Sequence, residues 1–177
     1  MMKRNILIVA LMLFITSCGT NSNKTILMRG LGEVSSLGLH DIGAQLYGSS
    51  DVTIVSWTAS SVMSFLTNSA KDSRVVFVGH SAGADQSTYI AISSDRPIEA
   101  LFLLDPVFPA EIPSNVKECW CWYVGDNNLI KPKEGNETTV FFNFKRSDSN
   151  HFNLDDNKEV QAMIVREITR IFNTPMF

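Results

Sequence analysis

Ser81 stands at the centre of Gly79-His80-Ser81-Ala82-Gly83, a G-x-S-x-G. A serine hydroxyl is a weak nucleophile until a base takes its proton and a third group orients that base. The chain offers three histidines, His40, His80 and His151. His80 lies inside the motif and points away from the Ser81 oxygen. His40 falls on the polar side of an early helix. His151, in Ser147-Asp148-Ser149-Asn150-His151-Phe152, follows the last strand and precedes the last helix. There a sheet's carboxyl edge returns a loop toward the serine. Two aspartates end strands between Ser81 and His151. Asp105 closes Leu103-Leu104-Asp105-Pro106, and Asp126 closes Tyr123-Val124-Gly125-Asp126. Either completes the chain order serine, acid, histidine. The chemistry predicted is covalent attack by Ser81 Oγ, with His151 as the base.

The motif alone is weak: three fixed positions occur by chance in roughly one chain of this length in twenty. Its context is what gives it meaning. Val75 to Val78 is a continuous apolar run, the mark of a strand buried on both faces. A helix-compatible run follows, from Ala82 to about Ser93. A strand that turns sharply into a helix strains the serine backbone, lifts its side chain clear of the sheet and demands tiny residues at 79 and 83. The helix start offers backbone N–H groups to a developing oxyanion.

The remaining chain supplies elements to hold this turn. Strands are predicted at Thr25–Met28, Val52–Trp57, Leu101–Leu104, Cys119–Val124 and Thr139–Phe144. Helices are predicted at Leu39–Leu46, stopped by Gly48, at Ser60–Asn68, and from about Asn157 to Phe172. The closing helix carries an apolar stripe of Val160, Ile164, Ile168 and Ile171. Asp156 with Glu159 resembles a capping box, and Asp155 and Asp156 read as caps of this helix. Strands alternating with helices predict a mainly parallel sheet of about six strands between two helical layers.

These stretches resemble a compact α/β-hydrolase of the bacterial lipase, esterase and thioesterase type. The resemblance rests on Ile26-Leu27-Met28-Arg29-Gly30-Leu31-Gly32, Phe77 to Ala84, Leu103 to Pro106 and His151-Phe152-Asn153-Leu154-Asp155. It implies that Ser81 is the nucleophile and His151 the base. It also implies that the N–H groups of Leu31 and Ala82 form the oxyanion hole. Most of the family carries the acid after the later strand, as Gly-x-x-Asp, but that slot here holds Asn128. Some lipases place it in an earlier Asp-Pro turn, which favours Asp105 over Asp126. Arg29 replaces a histidine common before the first-loop glycine, and the two leading antiparallel strands of the full fold are missing. The resemblance implies a serine hydrolase of ester or thioester bonds with small-molecule or lipid-like acyl substrates. The other reading of the same chain is an inactive fold serving as an envelope binding protein. An acyltransferase or a peptidase is a third use of the scaffold. Pro106 to Lys117 is too short for a helical lid, so the site is expected to be shallow and open.

The first 17 residues carry Lys3 and Arg4, an apolar run from Ile6 to Ile15, and small residues. This is an export signal, and ten apolar residues do not span ~30 Å of hydrocarbon. Ile15-Thr16-Ser17-Cys18 resembles the lipobox of bacterial lipoproteins. That implies cleavage before Cys18, lipidation of its thiol and anchoring to the bacterial cell envelope. Gly19 is not the aspartate that retains enteric lipoproteins at the inner membrane, so in a Gram-negative cell the outer membrane is implied. Residues 18–24 then form a lipidated tether, and residues 25–177 a single domain. Loss of Lys3 and Arg4 leaves thirteen basic against eighteen acidic side chains. With no basic cluster, nucleic acid is not an expected partner. Cys119 and Cys121 are expected as free, buried thiols, and nothing in the histidine and cysteine spacing points to a metal or another cofactor.

Overall fold

The computed structural model describes residues 23–31, 36–58, 66 and 72–175. Six strands form one sheet: β1 (Asn23–Arg29), β2 (Asp51–Ser56), β3 (Arg74–His80), β4 (Ile98–Leu104), β5 (Val116–Tyr123) and β6 (Val140–Lys145). Their spatial order is β2-β1-β3-β4-β5-β6, and every pairing is parallel. Three α-helices are described: α1 (Gly38–Leu46), α2 (Ala82–Ile92) and α3 (Lys158–Asn173). The fold is the three-layer α/β-hydrolase-like sandwich that the sequence predicts. The helix expected at Ser60–Asn68 lies outside the described residues, apart from Leu66, which is buried. The signal segment, Cys18 and residues 18–22 of the tether also lie outside them. The tether's last two residues, Asn23 and Lys24, belong to β1, where Lys24 pairs with Asp51 at 2.5 Å.

Both faces of the sheet are covered, so its central strands are apolar without alternation. All seven residues of β4 are buried. One face sends Ile26, Phe77, Leu101, Leu103 and Cys119 toward α2. The other sends Leu27, Val78, Phe102 and Trp122 toward α1 and α3. Helix α3 meets that face with Val160, Ile164, Ile168 and Ile171, spaced three or four apart and almost fully buried. Burial of each such side chain is worth about 1.5–3 kcal/mol. Cys119 and Cys121 are both buried and free.

The helix caps differ from the sequence reading. Asn157, not Asp156, caps α3: its side chain accepts the N–H groups of Glu159 and Val160. Asp155 reaches elsewhere. It accepts the N–H of Gly38 at 2.9 Å and so caps α1, where a carboxylate also suits the positive end of the helix dipole. The two segments touch directly, and only glycine fits at 38: a Cβ there would collide with the Asp155 backbone. The loop carrying His151 is thereby pinned to the first helix.

The strand order reverses between β1 and β3. In open parallel sheets the crevice at the carboxyl ends beside such a switch point is where ligands bind. Gly30, Ser81 and Asp105 each follow directly the strand they close, β1, β3 and β4.

Candidate active site

Ser81 sits between β3 and α2 with φ 57° and ψ −128°. This conformation is strained for a residue with a side chain, and such strain gathers at functional sites. Its backbone N–H donates to the carbonyl of Leu104 at 2.8 Å. The turn closes only because its flanks are bare. A Cβ on Gly79 would collide with the Gly83 carbonyl, and one on Gly83 with the Met28 carbonyl. Both glycines of the motif are thus steric requirements.

His151 brings the ends of three strands together. Its Nε2 lies 2.9 Å from Ser81 Oγ, and its Nδ1 lies 2.7 Å from Asp105 Oδ2. Asp105 is an acceptor, so Nδ1 carries the hydrogen. Nε2 is then free to accept the Ser81 O–H. The Asp105 side chain is 3% exposed, whereas that of Asp126 is 79% exposed and pairs with Lys145 on the surface. Of the two aspartates, only Asp105 joins this chain of hydrogen bonds.

Asp105 also has a positive φ, 44°, which Asp tolerates better than most residues. Its Oδ1 accepts the Val124 N–H at 2.9 Å and the Asn128 side-chain N–H at 2.7 Å. Burial pushes the carboxyl up, but the hydrogen bonds from Asn128, Val124 and His151 outweigh it and hold Asp105 below the ordinary aspartate value. Asn128 occupies the Gly-x-x-Asp slot noted in the sequence. Its donor amide now braces the acid that sits one strand earlier.

Gly30 and Leu31 follow β1. A Cβ on Gly30 would lie 2.8 Å from the Ser81 Cβ, so glycine lets this loop rest against the nucleophile. Ala82 opens α2, and its N–H is among those that no preceding helical carbonyl can satisfy. Its position, and that of Leu31 one residue past Gly30, put both near the serine.

Beside Ser81 lies an apolar cleft of about 450 Å³, lined in part by Leu31, Trp57, Tyr89, Val107, Phe108 and Phe152. Part of this cleft is built by the short segment that follows Asp105. Asp85, on the first turn of α2, holds that segment: its carboxylate accepts the N–H groups of Val107 and Phe108 at 3.1–3.2 Å. This clamp folds the short segment after Asp105 back over the helix and builds one wall. Burial pushes the Asp85 carboxyl up, against the pull of those two N–H groups. Phe108 and Phe152 are 74% and 71% exposed, so the rim is apolar as well. Among the described residues, no group of three or more His, Cys, Asp and Glu is placed to hold a metal ion. Among them too, no helix is long and apolar enough to cross a membrane.

No protein-family model and no curated protein matches the chain. Solved structures do. A cutinase-like protein from Cryptococcus sp. is similar with a TM-score of 0.54 at 12% identity, over 87% of this chain and 96% of that one. A type II thioesterase of the yersiniabactin pathway gives 0.52 at 10% identity, over 88% and 96%. An acetyl xylan esterase gives 0.50 at 10% identity, over 86% and 99%. At such identities the likeness establishes the shared fold.

Proposed function

We propose that the chain is a serine hydrolase that cleaves carboxylic ester or thioester bonds through an acyl-enzyme. The observation that carries this reading is the continuous hydrogen-bonded path from Ser81 through His151 to Asp105, beginning at a serine with a positive φ. The structural neighbours support it in that their own names are cutinase-like protein, thioesterase and esterase.

In this reading Ser81 Oγ attacks the acyl carbonyl as its proton passes to His151 Nε2. Asp105 holds the imidazole in the Nδ1–H tautomer and stabilises the imidazolium, without taking the proton. The N–H groups of Leu31 and Ala82 receive the oxyanion, each worth about 2.7–4 kcal/mol by analogy with one measured donor. His151 then protonates the leaving group, and water, activated by the same base, releases the acid and restores Ser81. The apolar cleft takes the acyl part; its volume falls within the usual range for small-molecule sites, roughly 300–1,000 Å³. Lipidation of Cys18 anchors the enzyme to the bacterial envelope.

Hydrolysis of p-nitrophenyl esters of increasing acyl length tests the assignment. Ser81→Ala and His151→Ala should each abolish most of the turnover, because such residues act as a unit. Full activity in either variant, with folding intact by circular dichroism, contradicts the role given to that residue.

A further inference from the structure

His80 is fully buried and immediately precedes Ser81, but its ring is held by other partners. Its Nε2 is 2.7 Å from the backbone carbonyl of His151. A carbonyl only accepts, so Nε2 carries the hydrogen. In a neutral ring the other nitrogen is then an acceptor. Ser36 Oγ lies 2.8 Å from Nδ1, so the Ser36 hydroxyl donates to it. That leaves the Ser36 oxygen to accept the N–H of Gly30, at 3.0 Å. One tautomer satisfies both ring nitrogens and Ser36; the Asp155 carboxylate, 3.8 Å from Nδ1, lies beyond hydrogen-bond distance. Burial, which pushes the His80 imidazole down, favours the uncharged ring.

The two ends of this path matter. Gly30 rests against Ser81 and precedes Leu31 on the oxyanion side. His151 is the residue whose ring faces both Ser81 and Asp105. His80 is itself fixed in β3, in register with Leu104 of β4. A ring fixed at the end of an interior strand thus contacts two segments that both reach the nucleophile.

We propose that His80 is a positioning residue that locks the oxyanion loop, through Ser36, and the base loop, through the His151 carbonyl, in register with Ser81. This rests on the serine hydrolase reading and adds two residues to it. Each arm has its own conservative probe. His80→Gln keeps a donor where Nε2 lies but loses the acceptor for Ser36. His80→Asn keeps an acceptor near the Nδ1 position but does not reach the His151 carbonyl. Ser36→Ala cuts the Gly30 arm alone.

The experiment measures kcat and KM on p-nitrophenyl butyrate, with thermal unfolding and fluorophosphonate labelling of each protein. Misplacing a reacting group by about 1 Å costs on the order of 10²-fold, so loss of one arm should lower kcat by roughly 10-fold or more. KM should change little, since the interactions concerned tighten at the transition state. Ser36→Ala and His80→Gln cut the same arm, so their double variant should be no slower than either single one. Ser36→Ala with His80→Asn cuts both arms, and the losses should multiply. A packing role predicts neither pattern. The proposal is overturned if Ser36→Ala and His80→Gln keep wild-type kcat. It is also overturned if their effects multiply, or if every loss follows the fraction unfolded. Should the His80 variants fail to fold, Ser36→Ala decides, and a kcat within two-fold of wild type overturns it. A wild-type protein that the fluorophosphonate does not label removes the hydrolase reading itself; labelled wild type with unaffected variants removes only the role of His80.

Discussion

Replacing Asp105 by asparagine changes one atom of the site, and the structure dictates which way the new amide must face. Oδ1 accepts from the backbone of Val124, a donor that cannot flip. The amide oxygen therefore stays on that side, and its NH₂ is turned toward His151 Nδ1 across 2.7 Å. Two donors cannot face each other, so His151 must give up its Nδ1 hydrogen. The neutral ring then carries its hydrogen on Nε2, facing Ser81 Oγ, and has nothing with which to accept the serine proton. The geometry survives while the tautomer is wrong. In the serine proteases the equivalent change lowers kcat by about 10⁴, which is roughly 5 kcal/mol of transition-state stabilisation. A loss of the same order is expected here for Asp105→Asn, read as kcat on a p-nitrophenyl ester, with KM nearly unchanged. Asp126→Asn removes an exposed partner of Lys145 and should leave kcat within about two-fold, as expected for a surface ion pair. Asp105→Asn retaining more than a tenth of wild-type kcat, with Asp126→Asn inactive and both folded, refutes the reasoning and moves the acid to Asp126.

Burial, and then the charge of Asp156, push the Asp155 carboxyl up from 3.8 to about 6. Between about pH 4 and pH 6 the folded chain therefore binds more protons than the unfolded chain, so stability falls as pH rises through that window. The part due to Asp155 is at most about 3 kcal/mol. Asp155→Asn keeps an oxygen for Gly38 and should flatten the fall in urea titrations between pH 4 and pH 7; parallel wild-type and variant curves contradict it. Asp85→Ala frees the N–H groups of Val107 and Phe108 and lets that wall of the cleft relax. Two charge-assisted hydrogen bonds are at stake, so KM for an octanoyl ester should rise roughly 10-fold while the acetyl ester is little affected. Equal changes for both esters would remove Asp85 as the support of the acyl cleft. Cys18→Ser should block lipidation and release the protein from the membrane fraction, and unchanged processing with unchanged partition refutes the anchor.

Much of this architecture is legible in the sequence because double-sided burial leaves a local trace. Val75 to Val78 and Leu101 to Leu104 are unbroken apolar runs, as strands covered by helices on both faces must be. The stripe from Val160 to Ile171 has the period of a helix with one buried face. The strained serine is legible too, since its flanking glycines are demanded by contacts within one turn and with β1. The supporting residues are not legible, because their partners are distant in sequence. His80 joins Ser36 and His151, 44 and 71 positions away. Asp155 caps a helix 117 positions earlier, whereas a local reading assigns it to the helix that follows. Asn128 does leave a signal, an amide in the slot where an acid is usual. Its meaning emerges only when the sheet sets it 2.7 Å from Asp105. The wall of the cleft at Val107 and Phe108 is hidden for the same reason: it depends on the reach of Asp85 across 22 and 23 positions.

Intact-mass and peptide spectrometry after reaction with a fluorophosphonate tests the claim that Ser81 is an activated nucleophile. The folded wild-type protein should gain a single adduct, located on the peptide that contains Ser81. Ser81→Ala should gain none, and His151→Ala should react far more slowly. An unmodified Ser81 in a folded protein that still hydrolyses p-nitrophenyl esters, or an adduct on another residue, contradicts the account.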